Sequence, residues 1–144
     1  MTKLEDFLKL NENRQIWTIS KDQNVMQALL LMSEKNIGAI IIVDNNDFPV
    51  GIFSERDYAR KIVLKGKSSK DTLLDEVMTK ELITVTKDYK IEQCMEIMIE
   101  KKIRHLPVLE DRKIVGIISI GDLLKIMIKE QKELIDHLQK FITS

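Results

Sequence analysis

The sequence is short of the residues that most often mark chemistry. There is one cysteine among 144 residues, with two prolines, five glycines and 5% aromatic side chains. A single cysteine excludes an intrachain disulfide and suits a reducing compartment. Cys94 lies in an apolar helical pattern, where a thiol serves as a small buried hydrophobe. His105 and His137 are the only histidines, too few to build a metal site with one cysteine. No Walker or Rossmann glycine loop is present. An enzyme and a resident metal are therefore not expected. Neither sign of charge is in excess: 23 basic and 23 acidic residues give a net charge of zero. That balance argues against a nucleic-acid binder, which carries a basic patch, and offers little repulsion against self-association. No apolar run approaches the ~20 residues that cross a bilayer. The start, Met1-Thr2-Lys3-Leu4-Glu5-Asp6-Phe7, has acidic residues and no long apolar stretch, so no secretory signal is read. The expectation is a soluble, cytoplasmic protein with no membrane contact.

What is present suffices for a core. The chain is 44% hydrophobic and 32% charged, the balance of a globular protein. Leu4, Phe7, Leu8 and Leu10 predict a short amphipathic helix over 3–10. Ile16-Trp17-Thr18-Ile19 reads as a strand. Asn24 to Lys35 reads as a helix, with Val25, Ala28, Leu29 and Met32 on its apolar face. Ala39 to Val43 is a β-branched run, read as a buried strand, and Phe48 to Phe53 is the next strand. Glu55 to Leu64 reads as a helix ended by Gly66. A basic polar linker follows, and Asp71-Thr72 is expected to cap a short helix through Met78. Leu82 to Val85 (strand), Ile91 to Lys101 (helix), His105 to Leu109 and Ile114 to Ile118 (strands) and a long helix from Gly121 complete the chain. Pro107 marks its strand as an edge or interrupted strand.

The second series repeats the first. A shift of 66 residues superposes Thr18, Lys21, Asp22, Gln27, Met32, Glu34, Lys35 and Ile37 on Thr84, Lys87, Asp88, Gln93, Met98, Glu100, Lys101 and Ile103. From position 50 the shift is 65, and Val50, Gly51, Ile52, Ser54 and Asp57 fall on Val115, Gly116, Ile117, Ser119 and Asp122. A unit used twice at this period is one supersecondary structure, too small to be stable alone. The fold class expected is α/β (α+β): two β-α-β-β-α repeats packed about a pseudo-twofold axis. The divisions are 1–13 (helix and linker), 14–66 (first repeat), 67–79 (linker with short helix), 80–128 (second repeat) and 129–144 (helical extension).

The most informative pattern is Gly-Ile-x-Ser-x-x-Asp, at Gly51 to Asp57 and again at Gly116 to Asp122. Each Ser and Asp falls where a strand hands over to a helix. First-turn amides there favour an anion. A serine cap with an aspartate in the first turn is equally what a plain helix start uses. Arg104-His105 likewise fits either an anion contact or an ordinary surface arginine beside a half-buried histidine.

These two corners, the Asn36-Ile37-Gly38-Ala39-Ile40-Ile41-Ile42-Val43 segment and Ile103-Arg104-His105-Leu106-Pro107-Val108 together resemble a tandem pair of cystathionine-β-synthase (CBS) domains, a Bateman module. The resemblance covers about residues 14 to 128. It implies a regulatory sensor that binds adenine nucleotides (AMP, ADP, ATP or an NAD-type ligand) in clefts between the repeats, without a metal. It implies that Asp57 and Asp122 hold the ribose hydroxyls and that Ser54 and Ser119 support ribose or phosphate. The adenine is expected near Thr18, Ile19, Ala39 and Ile40 in one repeat and Thr84, Val85, His105 and Leu106 in the other. Arg104-His105 is expected to reach the phosphate of the ligand whose ribose sits on Asp57, and Arg56, with Arg60 and Lys61, is a further phosphate candidate. Partners expected are a second copy of the chain, as a homodimer, and a regulated protein that the sequence does not identify. The alternative is a structural dimerisation module with vestigial clefts.

Overall fold

The computed structural model describes residues 2–143. Met1 and Ser144, the outer ends of the first and last expected divisions, lie outside the described residues. The chain begins with α1 (Leu4–Leu10). The first repeat then builds β1 (Thr18–Ser20), α2 (Val25–Lys35), β2 (Ala39–Val43), β3 (Pro49–Ser54) and α3 (Glu55–Asp57), which runs straight into a π-helical segment, Tyr58–Val63. After the short α4 (Leu74–Val77), the second repeat builds α5 (Ile91–Lys101), β4 (His105–Glu110), β5 (Lys113–Ser119) and α6 (Ile120–Thr143).

Local chemistry explains the boundaries. Asn24 caps α2, accepting from the Gln27 amide at 2.9 Å, while the Gln27 side chain accepts from the Asn24 amide at 3.0 Å. Gln93 returns to the Lys90 amide in the same way, at 2.9 Å. Both helices end in a left-handed residue at matched positions, Asn36 and Lys102. All five residues of β2 are buried, and β2 is the central strand, between parallel β1 and antiparallel β3. Ile42 pairs with Ile19 on one side and Gly51 on the other. In the second repeat β4 pairs antiparallel with β5, Leu106 opposite Ile118.

The expected strand over 82–85 is the main correction. It is reduced to one parallel bridge, Val85 to Val108. Val85 N–H donates to the Pro107 carbonyl at 3.1 Å and Leu109 N–H to the Val85 carbonyl at 2.9 Å. Residues 107 and 109 therefore face this edge, and the next ladder bond would need an N–H from position 107 to the carbonyl of residue 83. Proline has none. The matching position in the first repeat is Ile41, and there the ladder continues through Thr18. Two smaller corrections concern helices. The run read as one helix over 55–64 keeps a single α-turn before its π-helical part. The short helix after residue 70 has no side-chain cap. Its first amides are instead taken by the first repeat, Leu74 donating to the Gln23 carbonyl and Asp75 to that of Lys21.

That last contact has a counterpart. Leu4 N–H donates to the Tyr89 carbonyl and Glu5 N–H to that of Lys87, while Ile91 N–H donates to the Thr2 carbonyl as Val25 N–H does to that of Thr72. Each repeat is thus completed by the segment that precedes the other one. Two hydrophobic clusters result. One joins Leu74, Val77 and Met78 to Val25, Met32, Ile42 and Phe53. The other joins Leu4 and Phe7 to Ile91, Met98, Leu106 and Ile118. The contacts recur with roles exchanged, which is the pseudo-twofold relation. A glycine stands at the close approach on each side: a Cβ at Gly51 would lie 2.6 Å from Met78 Sδ, and one at Gly116 would lie 2.6 Å from Leu8 Cδ2. Among the described residues, no helix is long and apolar enough to cross a membrane.

Candidate functional site

Each strand that carries the repeated motif ends on its serine, and the helix starts there. Ser54 and Asp57 cap one another: the Asp57 Oδ2 accepts from the Ser54 amide at 2.9 Å and the Ser54 hydroxyl at 3.0 Å, and Ser54 Oγ accepts from the Asp57 amide at 3.2 Å. Ser119 and Asp122 repeat this geometry at 2.9, 3.0 and 3.1 Å. The capping role of these residues is therefore real, and it is also what aims the carboxylates. Each Asp side chain keeps about a sixth of its surface exposed, at 15% for Asp57 and 16% for Asp122.

The surroundings of the two differ. Asp57 Oδ1 accepts from the Thr79 hydroxyl at 3.2 Å and lies 3.3 Å from Lys61 Nζ. Lys61 also donates to the Val77 carbonyl at 2.9 Å. With the serine donors, both oxygens of Asp57 are engaged, close to the roughly four lone-pair sites that a carboxylate has. Asp122 Oδ2 takes its serine and Arg14 Nη1 at 3.3 Å. Its Oδ1 accepts no hydrogen bond among the described residues.

Each corner opens into a cavity. The Asp122 cleft has a volume of about 690 Å³, walled by Trp17, Ile37, Ala39, Ile41 and Ile117, with Ser119, His105, Arg14 and Lys35. Lys35 Nζ stands 4.2 Å over the Trp17 ring. The Asp57 cleft has a volume of about 360 Å³, with Ser54, Thr79, Arg56, Arg60, Lys61, Lys102, Arg104 and His105 around it. Gly38 and His105 line both cavities. A Cβ at Gly38 would stand 3.9 Å from the His105 ring. Burial holds the His105 imidazole below its ordinary pKa of 6.5; Asp122 and Glu55 pull against that and Arg104 adds to it. At neutral pH His105 is uncharged, so Arg104 is the cation of the pair. Burial, with Glu92 nearby, pushes the Cys94 thiol up to about 11, which leaves it unreactive.

The sequence-derived residues divide between these clefts and the interior. Ser54, Arg56, Asp57, Arg104 and His105 come together at one cleft, and Ala39, Ser119, Asp122 and His105 at the other. Thr18, Ile19, Ile40, Thr84, Val85 and Leu106 line neither. Ile40, Val85 and Leu106 are buried in the hydrophobic clusters. Sequence reasoning passed over Thr79, Trp17, Lys35 and Arg14. Thr79 sits in the linker, and only its pairing with Ile52 carries it to Asp57. Arg14 and Lys35 are remote from Asp122 along the chain and reach its cleft through the tertiary fold. No group of three or more His, Cys, Asp or Glu side chains suited to a metal occurs among the described residues.

Comparison with known proteins agrees with this architecture. The CBS-domain family matches residues 6–64 and 74–129. A solved CBS-domain protein from Burkholderia ambifaria is 44% identical, with a TM-score of 0.85 over 90% of this chain and 96% of that one. The mitochondrial CBS domain-containing protein CBSX3 of Arabidopsis thaliana is 38% identical over 84% of this chain, which spans 61% of that protein's length. The CBS pair of protein MJ0100, solved in complex with 5′-methylthioadenosine and S-adenosyl-L-methionine, is 26% identical with a TM-score of 0.79 over 90% of this chain and 98% of that one. CBS pairs are regulatory modules, and on its two matched repeats, their reciprocal completion and these likenesses, the chain belongs to the CBS-domain family as a tandem pair.

Proposed function

We propose that the chain is a regulatory sensor that binds adenine nucleotides, of the AMP, ADP, ATP or NAD type, in the two clefts and passes the bound state to a partner protein. The observation that carries this reading is the pair of repeat-related cavities, each tipped by the aspartate of a Ser–Asp corner. Both volumes lie within the usual range of about 300–1,000 Å³ for small-molecule sites. A carboxylate at a cavity edge accepts two hydroxyl hydrogen bonds from a ribose cis-diol. Asp122 has an open oxygen for this, whereas at Asp57 the sugar displaces Thr79 or Lys61 from Oδ1. Arg104 supplies a fork for phosphate oxygens. The adenosine-containing ligands of the MJ0100 pair support the same ligand class. Because each cleft joins side chains of both repeats, a ligand that prefers one mutual arrangement shifts the population toward it.

Isothermal titration of the full chain with AMP, ATP and NAD tests the reading. Binding is expected, and it should weaken about tenfold or more when Asp57→Asn and Asp122→Asn together remove both charges but keep the cap acceptors. Absence of binding to all three at millimolar concentration, with the protein folded, ends it.

A second reading, self-association, rests on the exposed apolar residues of α6. Leu124, Ile128, Leu134, Ile135, Leu138, Phe141 and Ile142 are exposed along it, at spacings that form one broad apolar stripe. Light scattering coupled to size exclusion should show a dimer or larger species that Leu134→Glu/Leu138→Glu dissociates. A monomer at all concentrations removes this reading and leaves the first untouched.

A further inference from the structure

The two clefts are related by the repeat but not by their charge. Five cations surround the Asp57 cleft: Arg56, Arg60 and Lys61 from the first repeat, Lys102 and Arg104 from the second. Only Glu55 and Asp57 oppose them there. Lys61 is taken by Asp57, and Arg56 is spent on the Lys102 carbonyl at 3.2 Å, with no carboxylate. The side chains of Arg60, Lys102 and Arg104 make neither an ion pair nor a hydrogen bond among the described residues. Unneutralised like charges converging on one cavity raise its potential, and a polyanion relieves it.

The repeat offsets carry these five positions to Gly121, Lys125, Ile126, Asn36 and Gly38 around the other cleft. Four of the five cations are gone, and Lys125 lines an adjoining cavity beside α1 that shares Arg14 and Asp122 with this cleft. The two cations that do border the Asp122 cleft are already partnered. Arg14 is on Asp122 at 3.3 Å, and Lys35 is 3.4 Å from Glu34 and stacked over Trp17. Apart from Asp122 the rest of that wall is uncharged, with apolar and polar residues in similar share, and the cavity is the larger one.

We propose that the clefts divide their ligands by charge: the Asp57 cleft takes an adenine nucleotide with a polyphosphate chain, and the Asp122 cleft takes an adenosine-like ligand of low net charge, its ring against Trp17. The division rests on the reading that both clefts take adenine ligands. It makes the module a comparator of two kinds of adenosine compound. The polyphosphate in addition ties Arg60 of one repeat to Lys102 and Arg104 of the other.

Trp17 is the single tryptophan of the chain and borders only the Asp122 cleft, so its emission reports that cleft alone. Calorimetry reports both. The full chain is titrated with adenosine and, separately, with ATP, by both methods. Adenosine is expected to shift Trp17 emission. ATP is expected to give binding heat at concentrations that leave the emission unchanged, and to bind about tenfold or more weaker in Arg60→Gln/Arg104→Gln. In the same variant the adenosine-induced emission shift, a readout of the other cleft, should persist, which also shows that it is folded. ATP and adenosine competing for the Trp17 cleft, or ATP binding to the variant within about twofold of the parent, overturns the division while leaving nucleotide binding intact. No binding of either probe to folded protein overturns both.

Discussion

At the scale of single residues, Asp57 and Asp122 each serve two ends with one carboxylate. One oxygen closes the helix cap and the other faces a cleft. The structural share can be separated from the binding share. Ser119→Ala removes the hydroxyl that bonds Asp122 on both sides, and should cost about 1 kcal/mol in chemical denaturation. Asp122→Asn should cost less than that while weakening ligand binding. Equal losses of stability in the two variants would mean that the charge at Asp122 matters for the fold rather than for a ligand.

His105 gives the residue scale a pH dependence. Its folded pKa lies below the ordinary 6.5 because the ring is desolvated at the wall between the clefts. Below 6.5 the unfolded chain binds a proton that the folded chain resists, so stability is full above about 6.5 and falls as pH drops from there toward the folded value. His105→Gln should flatten the denaturation midpoint against pH between about 7 and 5. An unchanged slope would assign the effect elsewhere. Cys94, buried with a thiol pushed up to about 11, should react with a thiol reagent only on unfolding.

At the scale of elements, one proline separates the two sheets. Position 107 faces an edge on which residue 83 would otherwise pair, and Ile41 occupies the same place in the intact first sheet. Pro107→Ile should restore the missing N–H and lengthen the parallel ladder. The new amide at 107 should then be protected in hydrogen exchange, and rapid exchange there would show that something other than the proline ends the strand. The glycine pair is a second test. Gly51→Ala meets Met78 at 2.6 Å and the Thr79 carbonyl at 3.1 Å, whereas Gly116→Ala meets only the end of the flexible Leu8 side chain. The first should be the more destabilising, because backbone cannot swing aside.

At the scale of the whole molecule, stability is shared by exchange. Leu4 is fully buried in the cluster of the second repeat, and Leu74 in that of the first. Leu4→Ala should cost about 2–5 kcal/mol, with loss of hydrogen-exchange protection beginning in α5 and β4 rather than in the first repeat. Protection lost first in α2 and β2 would contradict the exchanged arrangement. The same crossing places Thr79, which follows α4, against Asp57 of the first repeat, so the segment that completes a core also completes a cleft.

The sequence by itself determined the periodic parts. The double motif, the two matched helices, the buried β2 run and the Ser–Asp corners were legible because each rests on local rules: apolar period, capping chemistry and β-branched content. Pro107 even marked the weak edge, although the loss of the strand at 82–85 could be judged only once the register showed which way position 107 faces. What the tertiary structure alone decided is which distant groups share a cavity. Arg14 on Asp122, Thr79 on Asp57, Lys35 over Trp17 and His105 between both clefts are joined by the packing of one repeat against the other. No local pattern encodes such pairings, since they depend on where two surfaces meet rather than on the neighbours of either residue along the chain.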